Sequence, residues 1–230
     1  MKKVGLVGGI GPESTLEYYK GIIDGYRAKT GTDSYPLVIV DSLDLSVMYD
    51  LASKKLWPEF TKRLADSVAN LAAGGAEFAA MAANTAHIVF DEVQRLSPLP
   101  LLSIVEETCR YARDKDCRKA VIFGTAFTMS SGLYTRAFAK YGIEAFVPEP
   151  EEQKAIHDII FPNLQAGIVL PEEKKKILGI AERMISVKKA DALILGCTEL
   201  PLILRQDDIE TLVLDTTKIH IDAIVDAILP

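Results

Sequence analysis

The stretch Ala190-Asp191-Ala192-Leu193-Ile194-Leu195-Gly196-Cys197-Thr198-Glu199-Leu200 decides how the chain folds. Residues 192–195 are four apolar residues in a row, which reads as a short strand buried on both faces of a parallel sheet. Gly196 frees the backbone for a sharp turn, and Thr198 and Glu199 read as the opening of a helix. Cys197 stands between strand and helix. A thiol there meets unsatisfied N–H groups and the positive end of a helix dipole, which predicts a depressed thiol pKa. A Glu199 carboxylate close by opposes that effect. By itself the residue is equally consistent with a small buried hydrophobe, which is what most free cysteines are.

A second stretch follows the same plan. Gly75-Ala76-Glu77-Phe78-Ala79-Ala80-Met81-Ala82-Ala83-Asn84-Thr85 aligns with residues 189–199: a small residue, an acid, an apolar strand, then a polar helix start. Each is followed by a short strand and a capped helix, at Leu101-Leu102-Ser103 and at Leu212-Val213-Leu214-Asp215-Thr216. The chain openings correspond more loosely, Val7-Gly8-Gly9 with Phe123-Gly124-Thr125. The rest of the chain fits this frame. Apolar runs at 4–7, 37–40, 77–82, 101–103, 120–123, 144–147, 193–195 and 212–214 read as strands. Amphipathic stretches at 13–27, 58–73, 85–96, 105–113, 130–141, 150–166, 171–187 and 216–228 read as helices. Strands alternating with helices predict an α/β fold, here two pseudosymmetric domains, each a parallel sheet flanked by helices. The halves are expected at 1–115 and 116–230, with the C-terminal helix free to pack on the first. Ligands in such folds bind beyond the carboxyl ends of the strands, which places the expected site in the cleft between the domains. The repeat puts Ala83 at the position equivalent to Cys197.

Composition narrows the function. The chain has 230 residues, 49% hydrophobic and 25% charged, enough for a full core and a solvated surface. A net charge of −6 with no basic run argues against nucleic acid as a partner. No apolar run is long enough to span a bilayer, and the opening residues are too short for a signal peptide's apolar segment. Three cysteines, Cys109, Cys117 and Cys197, fit a reducing cytoplasm, and their spacings match no common zinc motif. His87, His157 and His220 are too scattered to suggest a metal site; His87 reads as a helix residue bonded within the fold. Cys109 and Cys117 read as structural, and Lys54 and Lys55 as solvated surface. The turn Gly8–Ser14 lacks the last glycine of a dinucleotide fingerprint and reads as a tight turn that lets backbone approach a carboxylate.

The repeat itself suggests one chemistry, proton transfer. Two groups facing each other across a small cleft suit a reaction that removes a proton from one face of a carbon and returns one to the other. Helix N-termini hold carboxylates well. Asn84, Thr85 and Thr198 stand at two of them, where plain capping is the alternative role.

The combination resembles the cofactor-independent aspartate/glutamate racemase family. Gly8-Gly9-Ile10-Gly11-Pro12-Glu13-Ser14-Thr15 is similar to its first turn, and Asn84-Thr85-Ala86-His87 to the segment around its first catalytic cysteine. Gly124-Thr125 with Thr128-Met129 resembles the turn opening the second half. Gly196-Cys197-Thr198-Glu199 resembles the segment of its second catalytic cysteine, and Asp215-Thr216-Thr217 with His220 the start of its last helix. The resemblance covers essentially the whole chain. It implies a usually dimeric enzyme that racemises amino acids, or acts on a dicarboxylate, without pyridoxal phosphate or metal. Cys197 is then the thiol acid/base, and Ile10, Asn84, Thr85, Thr125, Thr198 and Glu199 are the substrate-binding residues. The chain departs from the family where the first cysteine is expected, because Ala83 stands there and a methyl group moves no proton. Some similar racemases that act mainly on L-forms carry threonine at that place. Arylmalonate decarboxylases, of the same superfamily, keep only the second cysteine with a small residue opposite. A single-cysteine decarboxylase or isomerase, or a carboxylate-binding paralogue, is therefore the alternative. A lysine of some aspartate-acting relatives falls near Gln165, which leaves acidic-substrate specificity open.

Overall fold

A computed structural model describes all residues, 1–230. The chain divides into two compact units, Met1–Ile104 with His220–Pro230, and Val105–Ile219. The sequence frame put the division after residue 115. The helix that follows Ile104 belongs instead to the second unit, while the chain's last residues belong to the first.

The first unit contains, in order, β1 (Val4–Gly8), α1 (Pro12–Thr30), β2 (Val38–Ser42), α2 (Leu45–Ser53), α3 (Trp57–Ala73) and β3 (Phe78–Met81). A 3-10 turn at Thr85–Val89 leads into α4 (Phe90–Leu96), and β4 (Leu101–Leu102) follows. All four strands are parallel, in the order β2-β1-β3-β4. Interior strands of a parallel sheet are covered on both faces and so read as unbroken apolar runs. β1 and β3 are accordingly buried along their whole length. Their side chains alternate between two cores. Val7, Ala79 and Met81 pack with Phe60, Leu64, Val68 and Leu71 of α3. Leu6, Phe78 and Ala80 pack with Tyr18 and Ile22 of α1 and with Ile221, Ile224 and Val225 near the C-terminus. Each such fully buried apolar side chain contributes roughly 1.5–3 kcal/mol relative to exposure.

The second unit contains α5 (Ile104–Asp114), β5 (Lys119–Gly124), α6 (Ala126–Ser130), α7 (Leu133–Lys140), β6 (Glu144–Phe146), α8 (Pro150–Ile160), α9 (Pro171–Lys188), β7 (Ala192–Gly196) and β8 (Leu212–Asp215). The last helix, α10 (Thr216–Ile228), begins here and ends in the first unit. The sheet is again parallel, in the order β6-β5-β7-β8.

The internal repeat is a repeat of register. Val4 pairs with Phe78 as Ala120 pairs with Ala192, and Ala80 pairs with Leu102 as Ile194 pairs with Leu214. The acid ahead of each strand has the same task. Glu77 accepts the Lys3 N–H at 2.7 Å, and Asp191 accepts the N–H groups of Arg118 and Lys119 at 2.8 Å. These bonds tie the start of the third strand to the start of the first in each unit. Met81 thus corresponds to Leu195, and Ala83 to Cys197.

Three expected helices differ. The 130–141 helix starts later, at Leu133, because Gly132 adopts a left-handed backbone (φ 68°), and a separate short helix, α6, precedes it. The 85–96 helix is a 3-10 turn up to Val89 before it becomes α. The 150–166 helix stops at Ile160, ahead of Pro162, and resumes only as a 3-10 turn at Leu164–Ala166; proline disfavours helical backbone in the residue before it. Helix α2 was not anticipated. It is capped by Asp44, whose carboxylate accepts the Ser46 N–H at 2.8 Å and the Val47 N–H at 3.4 Å.

Candidate active site

In the second unit the site is built at the carboxyl end of β7. Gly196 lies opposite Gly124 of β5, and a β-carbon on it would sit 3.0 Å from the Phe123 carbonyl oxygen and 3.6 Å from the Tyr134 ring. The small residue lets the strand end pack closely and turn. Cys197 follows, buried, with Leu195 and Leu200 in its core cluster. Its Sγ–H donates to Glu199 Oε2 at 2.7 Å, and the Thr198 hydroxyl donates to the same oxygen at 2.9 Å. The backbone N–H groups of Glu199 and Thr198 favour the thiolate form of this sulfur.

Burial pushes the Cys197 thiol well above the ordinary cysteine range, and the Glu199 carboxylate adds to the shift by its charge and its hydrogen bond. The two N–H groups pull the other way and are outweighed. This corrects the expectation of a depressed thiol. No α-helix begins at Thr198–Glu199: a 3-10 turn of three residues, Leu200–Leu202, takes its place and supplies no helix-length dipole.

Thr125 follows β5 directly. Its Oγ1 accepts the Thr128 N–H at 3.2 Å and lies 3.1 Å from the Thr128 hydroxyl, so it caps α6. Two further polar groups were not named as site residues from the sequence. The Thr216 hydroxyl donates to the Leu195 carbonyl at 2.8 Å, and the buried Tyr134 hydroxyl shares hydrogen bonds with Thr216 and Thr108. Together they brace the strand end that carries Cys197. The signal available was the pair Asp215-Thr216 at the end of an apolar run.

In the first unit the equivalent strand end carries Ala83, Asn84 and Thr85. Ala83 and Asn84 are buried and Thr85 is half-buried. Asn84 stands ahead of the 3-10 turn with no side-chain capping bond. Ala83 packs in the same core cluster as Ala86 and Val89. The neighbouring strand β1 ends in the turn that holds Ile10, half-buried. Gly9 there has φ 80°, and a β-carbon would lie 2.1 Å from the Leu43 carbonyl oxygen, so only glycine fits. The Gly9 N–H donates to Thr15 Oγ1 at 2.8 Å, and the Ser14 hydroxyl donates to the Ala82 carbonyl at 2.7 Å. Ser14 and Thr15 thereby connect the start of α1 to both strand ends. The groove of about 650 Å³ on this unit, lined by Trp57, Ile88, Val89 and Leu96 among others, contains none of Ile10, Ala83, Asn84 and Thr85.

The two other free cysteines are buried with raised thiols. Burial pushes Cys109 up to about 12 and Cys117 up to about 11. His87 and His220 are buried in the first unit with their rings 6.1 Å apart. The Ile104 N–H donates to His87 Nε2 at 3.2 Å, so Nδ1 carries the proton and donates to the Ala83 carbonyl at 2.9 Å. Both rings are held neutral by burial, His87 at about 4 and His220 at about 3. No group of three or more His, Cys, Asp and Glu side chains is placed to hold a metal ion. Lys54 pairs with Asp50 on the surface. No helix is long and apolar enough to cross a membrane.

Two four-stranded parallel sheets flanked by helices are the fold that solved racemase structures share. The sequence model of the Asp/Glu/Hydantoin racemases matches residues 7–224, and the chain belongs to that family. Among curated relatives, the broad specificity amino-acid racemase RacX of Bacillus subtilis (strain 168) is 26% identical over 219 residues, 93% of this chain and 92% of that protein. Among solved structures, an aspartate racemase homologue from Pyrococcus horikoshii OT3 is 35% identical with a TM-score of 0.89, covering 99% of both chains. A candidate Asp/Glu racemase from Yersinia pestis is 31% identical with a TM-score of 0.94, covering 100% of both.

Proposed function

We propose that the protein is an amino-acid racemase of the aspartate/glutamate type, working without cofactor, in which the Cys197 thiol moves the α-proton. One observation carries this reading. Cys197 sits at the end of a central strand of the second sheet, its thiol donating to a carboxylate, in a chain of the racemase family. The N–H groups of Thr198 and Glu199 stabilise a thiolate once it forms, and the Glu199 carboxylate keeps the resting sulfur protonated. The substrate is a small amino acid or dicarboxylate. Asn84, Thr85, Thr125, Thr198, Glu199 and the backbone turn at Ile10 are proposed to hold it. Three free cysteines suit a cytoplasmic protein, and a homodimer is part of the same proposal.

Ala83 favours a second reading. It occupies the place equivalent to Cys197 and offers only a methyl group. With one thiol the protein can protonate a carbanion on one face, which is all that a decarboxylase of the superfamily needs. Incubation with single enantiomers of aspartate, glutamate and other amino acids, followed by chiral chromatography, separates the readings. Appearance of the opposite enantiomer supports racemisation. Its absence, with carbon dioxide released from an arylmalonate, supports the decarboxylase.

A further inference from the structure

The strand end that carries Cys197 is enclosed by groups from other elements of the second unit. The Tyr134 ring on α7 lies 3.6 Å from where a β-carbon on Gly196 would stand, and Thr128 Cγ2 lies 3.2 Å from it. The Thr216 hydroxyl, from the first residue of α10, donates to the Leu195 carbonyl at 2.8 Å. The Tyr134 hydroxyl bonds to Thr216 and to Thr108 of α5. All three side chains are buried, so water does not compete for these groups and they fix one another's geometry.

The internal repeat contains a second buried tyrosine of the same kind. Tyr18 stands ten residues past Gly8 as Tyr134 stands ten past Gly124, and His220 stands six past Leu214 as Thr108 stands six past Leu102. The Tyr18 hydroxyl bonds to His220 Nδ1 at 2.8 Å. The pairs are crossed in the chain. Helix α5 follows the first sheet and meets its tyrosine in the second unit, whereas α10 follows the second sheet and meets its tyrosine in the first. Beyond the tyrosine the two networks differ. His220 goes on to the Leu102 carbonyl of β4. Thr216 goes on to a carbonyl of β7, the strand that ends in the thiol.

We propose that Tyr134 is a positioning residue for Cys197: its ring against Gly196, and its hydroxyl acting through Thr216 on the Leu195 carbonyl, fix the strand end from which the thiol is presented. This rests on the reading of Cys197 as the acid/base thiol. Tyr134 itself moves no proton. Its contribution is the placement of the sulfur, and a misplacement of about 1 Å in a reacting group can cost about 10²-fold in rate.

The test compares the full-length protein with Tyr134→Phe, Thr216→Val, Thr216→Ser and Tyr18→Phe, reading α-proton exchange of amino acids in D₂O against substrate concentration and stability in urea. In Tyr134→Phe and Thr216→Val, kcat for exchange should fall at least about tenfold, while KM stays within about twofold. Thr216→Ser keeps the hydroxyl and should keep the parent's kcat. Tyr18→Phe removes the equivalent buried bond from the first unit. It should lower the urea midpoint about as much as Tyr134→Phe does and leave kcat within about twofold. A merely structural tyrosine would not separate the two variants in this way. An unchanged kcat in Tyr134→Phe overturns the proposal, and so does an equal loss in Tyr18→Phe. Should Tyr134→Phe not fold, Thr216→Val against Thr216→Ser decides by the same criteria. A parent that exchanges no α-proton counts against the racemase reading instead. Iodoacetamide alkylation of Cys197, followed by peptide mass spectrometry, then judges Tyr134. The rate should rise at least about threefold in Tyr134→Phe and Thr216→Val, as the strand end opens locally, and stay at the parent's in Thr216→Ser and Tyr18→Phe. An unchanged rate in Tyr134→Phe, or the same rise in Tyr18→Phe, overturns the proposal.

Discussion

His87 Nδ1 donates to the carbonyl oxygen of Ala83 at 2.9 Å, so a buried imidazole holds the backbone at the position equivalent to Cys197. The other ring nitrogen accepts the Ile104 N–H, which leaves no place for a second proton. His220 is likewise satisfied, by the Tyr18 hydroxyl at 2.8 Å and the Leu102 carbonyl at 3.1 Å.

These histidines give the fold a pH dependence. Their native pKa values, about 4 and about 3, lie below the unfolded value of 6.5. The unfolded chain therefore binds protons first. The stability that the neutral rings contribute is complete above about pH 6.5 and is lost as pH falls through the native values. Between pH 6.5 and 5 the loss is about 2 kcal/mol for each histidine, at 1.36 kcal/mol per pH unit. Urea unfolding midpoints should drop over this range, and His87→Gln or His220→Gln should flatten the drop. Midpoints level from pH 7 to 5 in the parent contradict the assignment.

The turn after β1 should tolerate no side chain at Gly9. Alanine there combines a left-handed backbone with a β-carbon 2.1 Å from the Leu43 carbonyl oxygen. The expected loss is about 3 kcal/mol, from the backbone and the overlap together. Gly31, with φ 63° and nothing within 4 Å of its ideal β-carbon, is the control, and alanine there should cost only about 1–2 kcal/mol. Equal losses from the two substitutions in urea titrations would show that the turn yields.

With one thiol, proton transfer should be one-sided. Deuterium should enter one enantiomer faster than that enantiomer inverts, because only water can serve the opposite face. Proton NMR in D₂O read beside chiral chromatography gives both rates. Equal exchange from both enantiomers, with inversion as fast, would mean that another group replaces the first cysteine.

Ala83→Cys should raise racemisation. Residue 83 shares its register with Cys197, and a well-placed acid or base contributes about 10²–10⁴-fold in rate. The added sulfur enters a packed position, which costs about 1–3 kcal/mol where room is short. The comparison therefore includes a check of folding and the double variant with Cys197→Ala, which should exchange the opposite enantiomer. A folded Ala83→Cys that binds an amino acid and shows no gain would overturn the two-thiol reading.

The strands were legible because parallel strands buried on both faces leave unbroken apolar runs, such as Val4–Gly8 and Ala192–Gly196. The repeat was legible because the same register needs the same acid, Glu77 or Asp191, at the same offset. Helix α2 escaped because its residues, Leu45 to Ser53, follow a strand without a glycine or proline to mark the change. Only Asp44 signalled it. The environment of Cys197 was misjudged because Thr-Glu looks like a helix start in sequence. The burial of the sulfur arises only from tertiary packing, whereas the opposing Glu199 carboxylate, two residues on, was legible. The His87–His220 pair was invisible for the same reason, since residues far apart in the chain build it.

The most direct test of the account is α-proton exchange in D₂O over a panel of L- and D-amino acids, read by proton NMR for the parent and for Cys197→Ala. The account predicts exchange into at least one enantiomer by the parent, and a loss of at least about 10²-fold in folded Cys197→Ala. Exchange by Cys197→Ala at the parent's rate would contradict it.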